Sequence, residues 1–196
     1  MSLPPIKWLL IDLDNTILDF DQAARRSLEK AYQQFDIPVH SDNINLYRQI
    51  NHECWSSFEQ GSIAVITLKD LRFRKLVEAM QLQINHHHLN RFYLDTLAQQ
   101  VDEIEGARDF LEWSSQHFQL VLATNGFAEV QRPRLRKAGL SRYFQHIAIS
   151  EEIGWQKPHA PYFDHIFEAI QHPKSSEVLM VGDSLSSDIA GGNAYG

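Results

Sequence analysis

Cysteine is nearly missing from this chain: Cys54 is the only one in 196 residues. One thiol can neither close an internal disulfide nor build a CxxC zinc site, which points to a reducing compartment. Positive charge is also in deficit, with 18 Lys and Arg against 25 Asp and Glu and a formal net charge of −7. A surface of that sign repels a nucleic-acid backbone, so a nucleic-acid polymer is excluded as a general partner. Any phosphate the chain handles must be met by a few placed groups. No apolar run approaches the length needed to cross a bilayer. Pro4, Pro5 and Lys7 break up the N-terminus before the short run Trp8 to Ile11, so no signal peptide is expected either. Met1-Ser2-Leu3 resembles a cloning remnant and is set aside. The expected setting is the cytoplasm, with no membrane partner.

What is present is enough to build a core: 43% of the residues are hydrophobic, which argues against bulk disorder. The length suits one large α/β domain, or one domain carrying an insertion. The apolar runs Ile6 to Ile11, Leu120 to Ala123, Ile147 to Ile149 and Val178 to Val181 are short and unbroken, the signature of strands buried on both faces. Helical spacing fills the intervals. Ala24, Leu28, Ala31, Tyr32 and Phe35 form one stripe; Phe110, Leu111 and Trp113 belong to another helix; Tyr162, Phe163, Ile166, Phe167 and Ile170 mark a third. A basic helix runs to Ala138-Gly139, where glycine supplies the cap, and Pro133 suggests that its regular part begins near Arg132.

From Asp42 to Val101 the pattern is helical throughout. The stripes are Ile44, Tyr47, Cys54 and Phe58, closed by Gly61; Phe73, Leu76, Val77 and Met80; and Leu89, Phe92, Tyr93, Leu97 and Val101. The expected fold class is therefore α/β: a Rossmann-like parallel sheet with helices on both faces, interrupted by an all-helical insertion. The expected domains are 1–18 with 102–196 for the α/β core and 19–101 for the insertion.

Ligands of such sheets bind beyond the carboxyl ends of the strands. The residues immediately after each strand are Asp12 and Asp14, Thr124 and Asn125, and Asp183, with Asp188 a helical turn further on. In an extended segment Asp12 and Asp14 point to one side. Four converging carboxylates repel unless a cation or proton intervenes, and an all-oxygen donor set selects a hard ion, Mg²⁺ above others. A cation beside a nucleophilic carboxylate suits attack on a phosphate ester. Lys157, in Lys157-Pro158, is the placed positive charge, and Thr124 and Asn125 offer a hydroxyl, an amide and loop N–H groups to phosphate oxygens. Asp14, crowded by Asp12, is expected to be a usable acid for the leaving group and a base for water.

Asp12-Leu13-Asp14-Asn15-Thr16, Thr124-Asn125-Gly126, Lys157-Pro158 and Gly182-Asp183-Ser184 through Asp188 resemble the four ordered motifs of the haloacid dehalogenase-like (HAD) superfamily. Within it, Thr124 to Phe127, Ile149 to Gly154 and Val178 to Asp183 resemble the pyrimidine 5′-nucleotidase branch. The resemblance implies that the helical block is a cap inserted between the first and second motifs. It implies hydrolysis of nucleoside 5′-monophosphates with Mg²⁺, through an aspartyl-phosphate. Carried over, Asp12 is the nucleophile and Asp14 the general acid and base. The Asp12 carboxylate, the Asp14 main-chain carbonyl and Asp183 hold the metal, supported by Asp188; Thr124, Asn125 and Lys157 hold the phosphate. Members of the family continue beyond Gly191 to Gly196 with at least one more strand and a closing helix. The resemblance therefore implies an incomplete end to the core and an uncovered sheet edge.

Alternatives stay open at this stage: a phosphatase for another small ester such as a sugar phosphate, a phosphomutase, a haloacid dehalogenase, or a phosphate-binding relative without turnover. A dehalogenase needs no second Asp and no metal site, so Asp14, Asp183 and Asp188 favour phosphate. A phosphorylation-sensing receiver domain carries no helical insertion of this size. Other features read as structural: His86-His87-His88 as a polar connection between helices, Arg132, Arg134, Arg136 and Lys137 as a solvated helix face, and Cys54 as packing. Tyr47, Trp55 and Phe58 are either bundle core or contacts for a nucleobase, with core the expectation.

Overall fold

The computed structural model describes residues 5–196; Met1-Ser2-Leu3 and Pro4 lie outside the described residues. Each apolar run identified above is a strand: β1 (Trp8–Ile11), β2 (Gln119–Thr124), β3 (His146–Ile149) and β4 (Val178–Val181). All pair in parallel in the order β3-β2-β1-β4, with Leu9 beside Leu120 and Leu179 and Thr124 beside Ile149. The chain builds outward from β1 to β3 and then returns to the other side of β1. That reversal makes the β1–β4 boundary the topological switch, where a crevice opens at the carboxyl ends.

Side chains alternate strictly between the faces, as the pleat demands. Leu9, Ile11, Leu120 and Leu122 pack on one face with Leu111 and Leu135. Leu10, Val121, Ala123 and Ala148 pack on the other with Tyr162, Phe163 and Ile166. Both faces being apolar explains why the strands read as unbroken runs. β4 is an edge strand, and its Leu179 is half-exposed.

The chain divides into two compact units. One runs to Phe20 and resumes at Val101; the other spans Asp21–Gln100. The second unit is made of α1 (Phe20–Gln34) from its second residue on, α2 (Ser41–Glu59), α3 (Val65–Ala79) and α4 (His86–Leu97). Tyr47, Phe73 and Tyr93 meet at its centre with ring centroids 4.9–5.5 Å apart. Tyr47 and Phe58 are thus core, and Cys54 is a buried free thiol. α1 buries Ala23 rather than Ala24; Ser27 accompanies it inward because its hydroxyl donates to the Ala23 carbonyl at 2.7 Å. His86 to His88 are the first turn of α4, not a connection. Asn85 caps that turn, and His86 Nε2 lies 2.8 Å from Asp70 Oδ1 on α3.

The first unit continues with α5 (Ala107–His117), α6 (Ala128–Lys137), α7 (Ser150–Ile153) and α8 (Ala160–Ala169). α6 starts four residues before the start expected from Pro133 and carries that proline within it. A proline in this place removes one intrahelical donor and leaves the first turn intact. Phe127 O still accepts from Val130 and Gln131. After β4 comes a single widened π turn, Leu185–Ile189, and then α9 (Ala190–Tyr195). Such turns recur at functional sites.

Candidate active site

The sheet register brings the strand ends level. Asp12 follows β1 directly, and its N–H donates to Val181 O at 2.9 Å, which sets β1 and β4 ending side by side. Lys157 lies in the segment between α7 and α8, with its Nζ under the same edge. That ammonium donates to Asp12 Oδ1 at 2.7 Å, Asp188 Oδ1 at 2.6 Å and Ala123 O at 2.6 Å. All three side-chain charges are buried. Asp188 Oδ2 also accepts from the Ser184 N–H at 3.1 Å, which ties the π turn back to the end of β4. Gly182 makes room for it: a Cβ there would fall 2.2 Å from Asp188 Oδ2.

Burial dominates the electrostatics. It pushes the Asp12 carboxyl up to about 7 from an ordinary 3.8, and Asp188 and Asp14 add to the rise while Lys157 opposes it. Burial, then Asp188, also raises Asp183. Burial alone would lower Lys157, but the two carboxylates it pairs outweigh that and hold it above its usual range. Asp12, Asp183 and Asp188 each place a carboxylate oxygen within 4.8 Å of the others. Carboxylates this close, with Asp12 and Asp183 both raised by burial, form an oxygen-only donor set that a hard divalent cation would satisfy. The residues fit Mg²⁺.

Asp14 departs from the expectation. Its carboxylate does not join the other three; it turns to α6. Oδ1 accepts from Arg134 Nη1 at 2.5 Å and Oδ2 from Gln131 Nε2 at 2.7 Å. The turn that follows presents it there. Asn15 takes φ 58, a left-handed conformation that Asn tolerates, and its Oδ1 accepts from the Phe20 N–H at 3.0 Å.

Thr124 ends β2 and is buried, its Oγ1 accepting from the Gly126 N–H at 3.2 Å. Asn125 has a second task that its place after the strand did not reveal. Its Nδ2 donates to Lys157 O at 3.0 Å and its Oδ1 accepts from Lys157 N–H at 2.9 Å. The side chain thus ties the end of β2 to the main chain of Lys157 and holds that residue in place, with one amide hydrogen left over.

Sequence reasoning missed Gln131 and Arg134. Arg134 was grouped with a solvated basic face, yet it has 0% exposure. The signal was periodicity: Val130, Gln131, Arg134 and Leu135 share the buried stripe of α6, so two polar residues interrupt an inward face. Arg132, by contrast, does lie at the surface, paired with Glu152 at 2.6 Å.

A doubly wound parallel sheet with buried carboxylates at its switch point defines an α/β enzyme. The chain belongs to the haloacid dehalogenase-like hydrolases, whose family model matches residues 6–196. It is 35% identical to the pyrimidine 5′-nucleotidase PynA of Streptococcus pneumoniae over 97% of this chain and 81% of that protein. It is 31% identical to the pyrimidine 5′-nucleotidase YjjG of Escherichia coli over 94% of this chain and 80% of that one. Among solved structures, the orthorhombic form of the HAD-hydrolase YfnB from Bacillus subtilis superposes with a TM-score of 0.94 at 34% identity, covering 98% of this chain and 86% of that one. That crystal structure is described as bound to magnesium and as revealing interdomain movement. No helix among the described residues is long and apolar enough to cross a membrane.

Proposed function

We propose that this hydrolase is a Mg²⁺-dependent phosphomonoesterase that forms an aspartyl-phosphate on Asp12 and acts on nucleoside 5′-monophosphates, pyrimidine ones foremost. The observation that carries the chemistry is the buried Asp12–Lys157–Asp188 cluster with Asp183 beside it at the sheet's switch point. The substrate class is supported by the likeness to PynA and YjjG.

In this reading an Asp12 oxygen attacks phosphorus and the bond to the ester oxygen breaks. Asp14, carrying a proton taken up from solvent as the substrate binds, gives it to the departing alkoxide. Asp14 then takes a proton from water, the water oxygen attacks the same phosphorus, and the bond to Asp12 breaks, releasing phosphate and restoring both carboxyl groups. Lys157 and the Thr124 hydroxyl face the charge on the phosphoryl oxygens, and Asn125 keeps Lys157 in place. Mg²⁺ held by Asp12, Asp183 and Asp188, with the Asp14 carbonyl as a further oxygen, would neutralise phosphate charge and align the ester. Asp21–Gln100 serves as the cap in this reading. Asp14 also favours phosphate over halide as the leaving group, because halide departs without a proton. A cytoplasmic setting goes with the single free thiol.

Phosphate release from a panel of 5′-monophosphates and sugar phosphates, with Mg²⁺ and with EDTA, tests the proposal. Metal-dependent release that is fastest with uridine, thymidine or cytidine monophosphate is the expected result. Faster turnover of a sugar phosphate would overturn the substrate class and keep the chemistry. Chloride release from a 2-chloroacid would overturn the chemistry.

A further inference from the structure

We infer that Gln131 and Arg134 of α6 are positioning residues that fix both the Asp14 carboxylate and the direction of the Thr124 hydroxyl hydrogen. The inference rests on the phosphatase reading, in which those two groups meet the leaving oxygen and the phosphoryl oxygens.

Arg134 Nη1 donates to Asp14 Oδ1 at 2.5 Å and to Gln131 Oε1 at 3.0 Å. A guanidinium has no acceptor, so the Gln131 amide must turn its oxygen toward Arg134; the flipped amide would set hydrogens against hydrogens. Its nitrogen then faces Asp14 Oδ2 at 2.7 Å and Thr124 Oγ1 at 3.0 Å, with one hydrogen for each. Thr124 Oγ1 accepts a second hydrogen bond from the Gly126 N–H at 3.2 Å. A hydroxyl has two acceptor positions and one hydrogen. With both acceptor positions filled, Thr124 is left as a donor, which complements a phosphoryl oxygen that can only accept.

Packing closes the arrangement. A Cβ on residue 126 would lie 2.2 Å from Gln131 Nε2, so the loop sits down on the amide in a way only glycine permits. Arg134 has no exposed side-chain surface while Asp14 keeps 24%. The clamp is dry and the group it holds stays reachable. Stability does not demand such an arrangement, because a buried ion pair is commonly replaceable by apolar residues without loss.

Three variants test this: Gln131→Met, which keeps volume and loses both donors; Arg134→Lys, which keeps charge and loses the fork; and Gln131→Glu, which sets an acceptor against Asp14. Gln131→Met should lower kcat on uridine 5′-monophosphate about tenfold or more, and much less on 4-nitrophenyl phosphate, whose leaving group departs without a proton. It should also weaken inhibition by inorganic phosphate several-fold. Gln131→Glu should do both more severely, and Arg134→Lys should fall between wild type and Gln131→Met. Equal losses on both esters, or none, would overturn the inference. A readout free of turnover is the ¹⁵N spectrum of the Gln131 side-chain amide. Thr124→Val should release one of its protons to fast solvent exchange and Asp14→Ala the other; if neither moves, the contact is refuted. A wild-type chain that turns over neither ester overturns the phosphatase reading and the catalytic sense of the clamp, while the amide spectrum still decides the contact itself.

Discussion

Lys157 holds its ammonium 2.7 Å from an oxygen of Asp12, in a place where the two side chains are 2% and 9% exposed. The same ammonium reaches Asp188, so one positive charge is shared between two carboxylates with a third, Asp183, close by. The site therefore has a surplus of negative charge in its metal-free form. Most of its behaviour can be deduced from that surplus.

Asp12→Asn should abolish turnover, by about a thousandfold or more, because an amide oxygen cannot form the acyl-phosphate. The fold should survive. The carboxyl is already pushed up to about 7 by burial, so a neutral side chain of the same size removes an electrostatic cost. Circular dichroism and thermal unfolding check the second half: the metal-free variant should melt at or above the wild-type temperature. A variant with residual turnover near that of wild type would mean another group attacks phosphorus.

Lys157→Met leaves Asp12 and Asp188 facing each other without a shared cation. Removing one partner of a buried ion pair costs about 3–5 kcal/mol. Urea unfolding in EDTA should show a loss of that order. Mg²⁺ should restore part of it, since the cation supplies the missing positive charge, but should not restore activity. A loss that is the same with and without Mg²⁺ would separate Lys157 from the metal site.

The pH dependence has a definite sign. In the unfolded chain Asp12 ionises near 3.8, whereas in the folded chain it does so at about 7. Between those values the folded state holds a proton that the unfolded state has lost, so stability falls as pH rises through the window, and the penalty is complete above it. Asp183 is raised in the same direction by burial. A Mg²⁺ ion held as proposed would bind the ionised forms and cancel the penalty, so the rise in Tm on adding it should be small near pH 5 and larger near pH 8. Asp12→Asn should flatten this trend. A larger Mg²⁺ effect at the acid end would contradict the assignment.

The strands were legible because both faces of the sheet are covered, which makes each strand an unbroken apolar run that periodicity detects directly. The cluster followed from topology: Asp12 and Asp183 come just after strands, Thr124 ends one and Asp188 lies on the turn that follows β4, and parallel strands share one carboxyl edge. The polarity of α6 misled for a physical reason. Charge in sequence suggests solvent, and Arg134 is buried only because Asp14, 120 residues earlier, supplies its counter-charge. No local pattern carries that pairing. The direction of Asn125 was equally hidden, since it depends on where the main chain of Lys157 passes.

Asn125 gives the sharpest contrast between motif and geometry. A phosphate ligand lost to alanine would raise KM and leave stability alone. The structure commits both polar ends of the side chain to the main chain of Lys157, at 3.0 Å and 2.9 Å. Asn125→Ala should therefore lower stability by about 1–3 kcal/mol in urea unfolding, because a carbonyl and an N–H in a half-buried place lose their partners. If Lys157 serves the phosphoryl group as proposed, the variant should also lower kcat more than it raises KM. Asn125→Asp is the discriminating variant. It keeps the acceptor for the Lys157 N–H and turns the donor into a second acceptor facing the Lys157 carbonyl. It should be less stable than the alanine variant, although its shape is closer to asparagine. Stability equal to wild type in both variants, with KM alone rising, would return Asn125 to the phosphate.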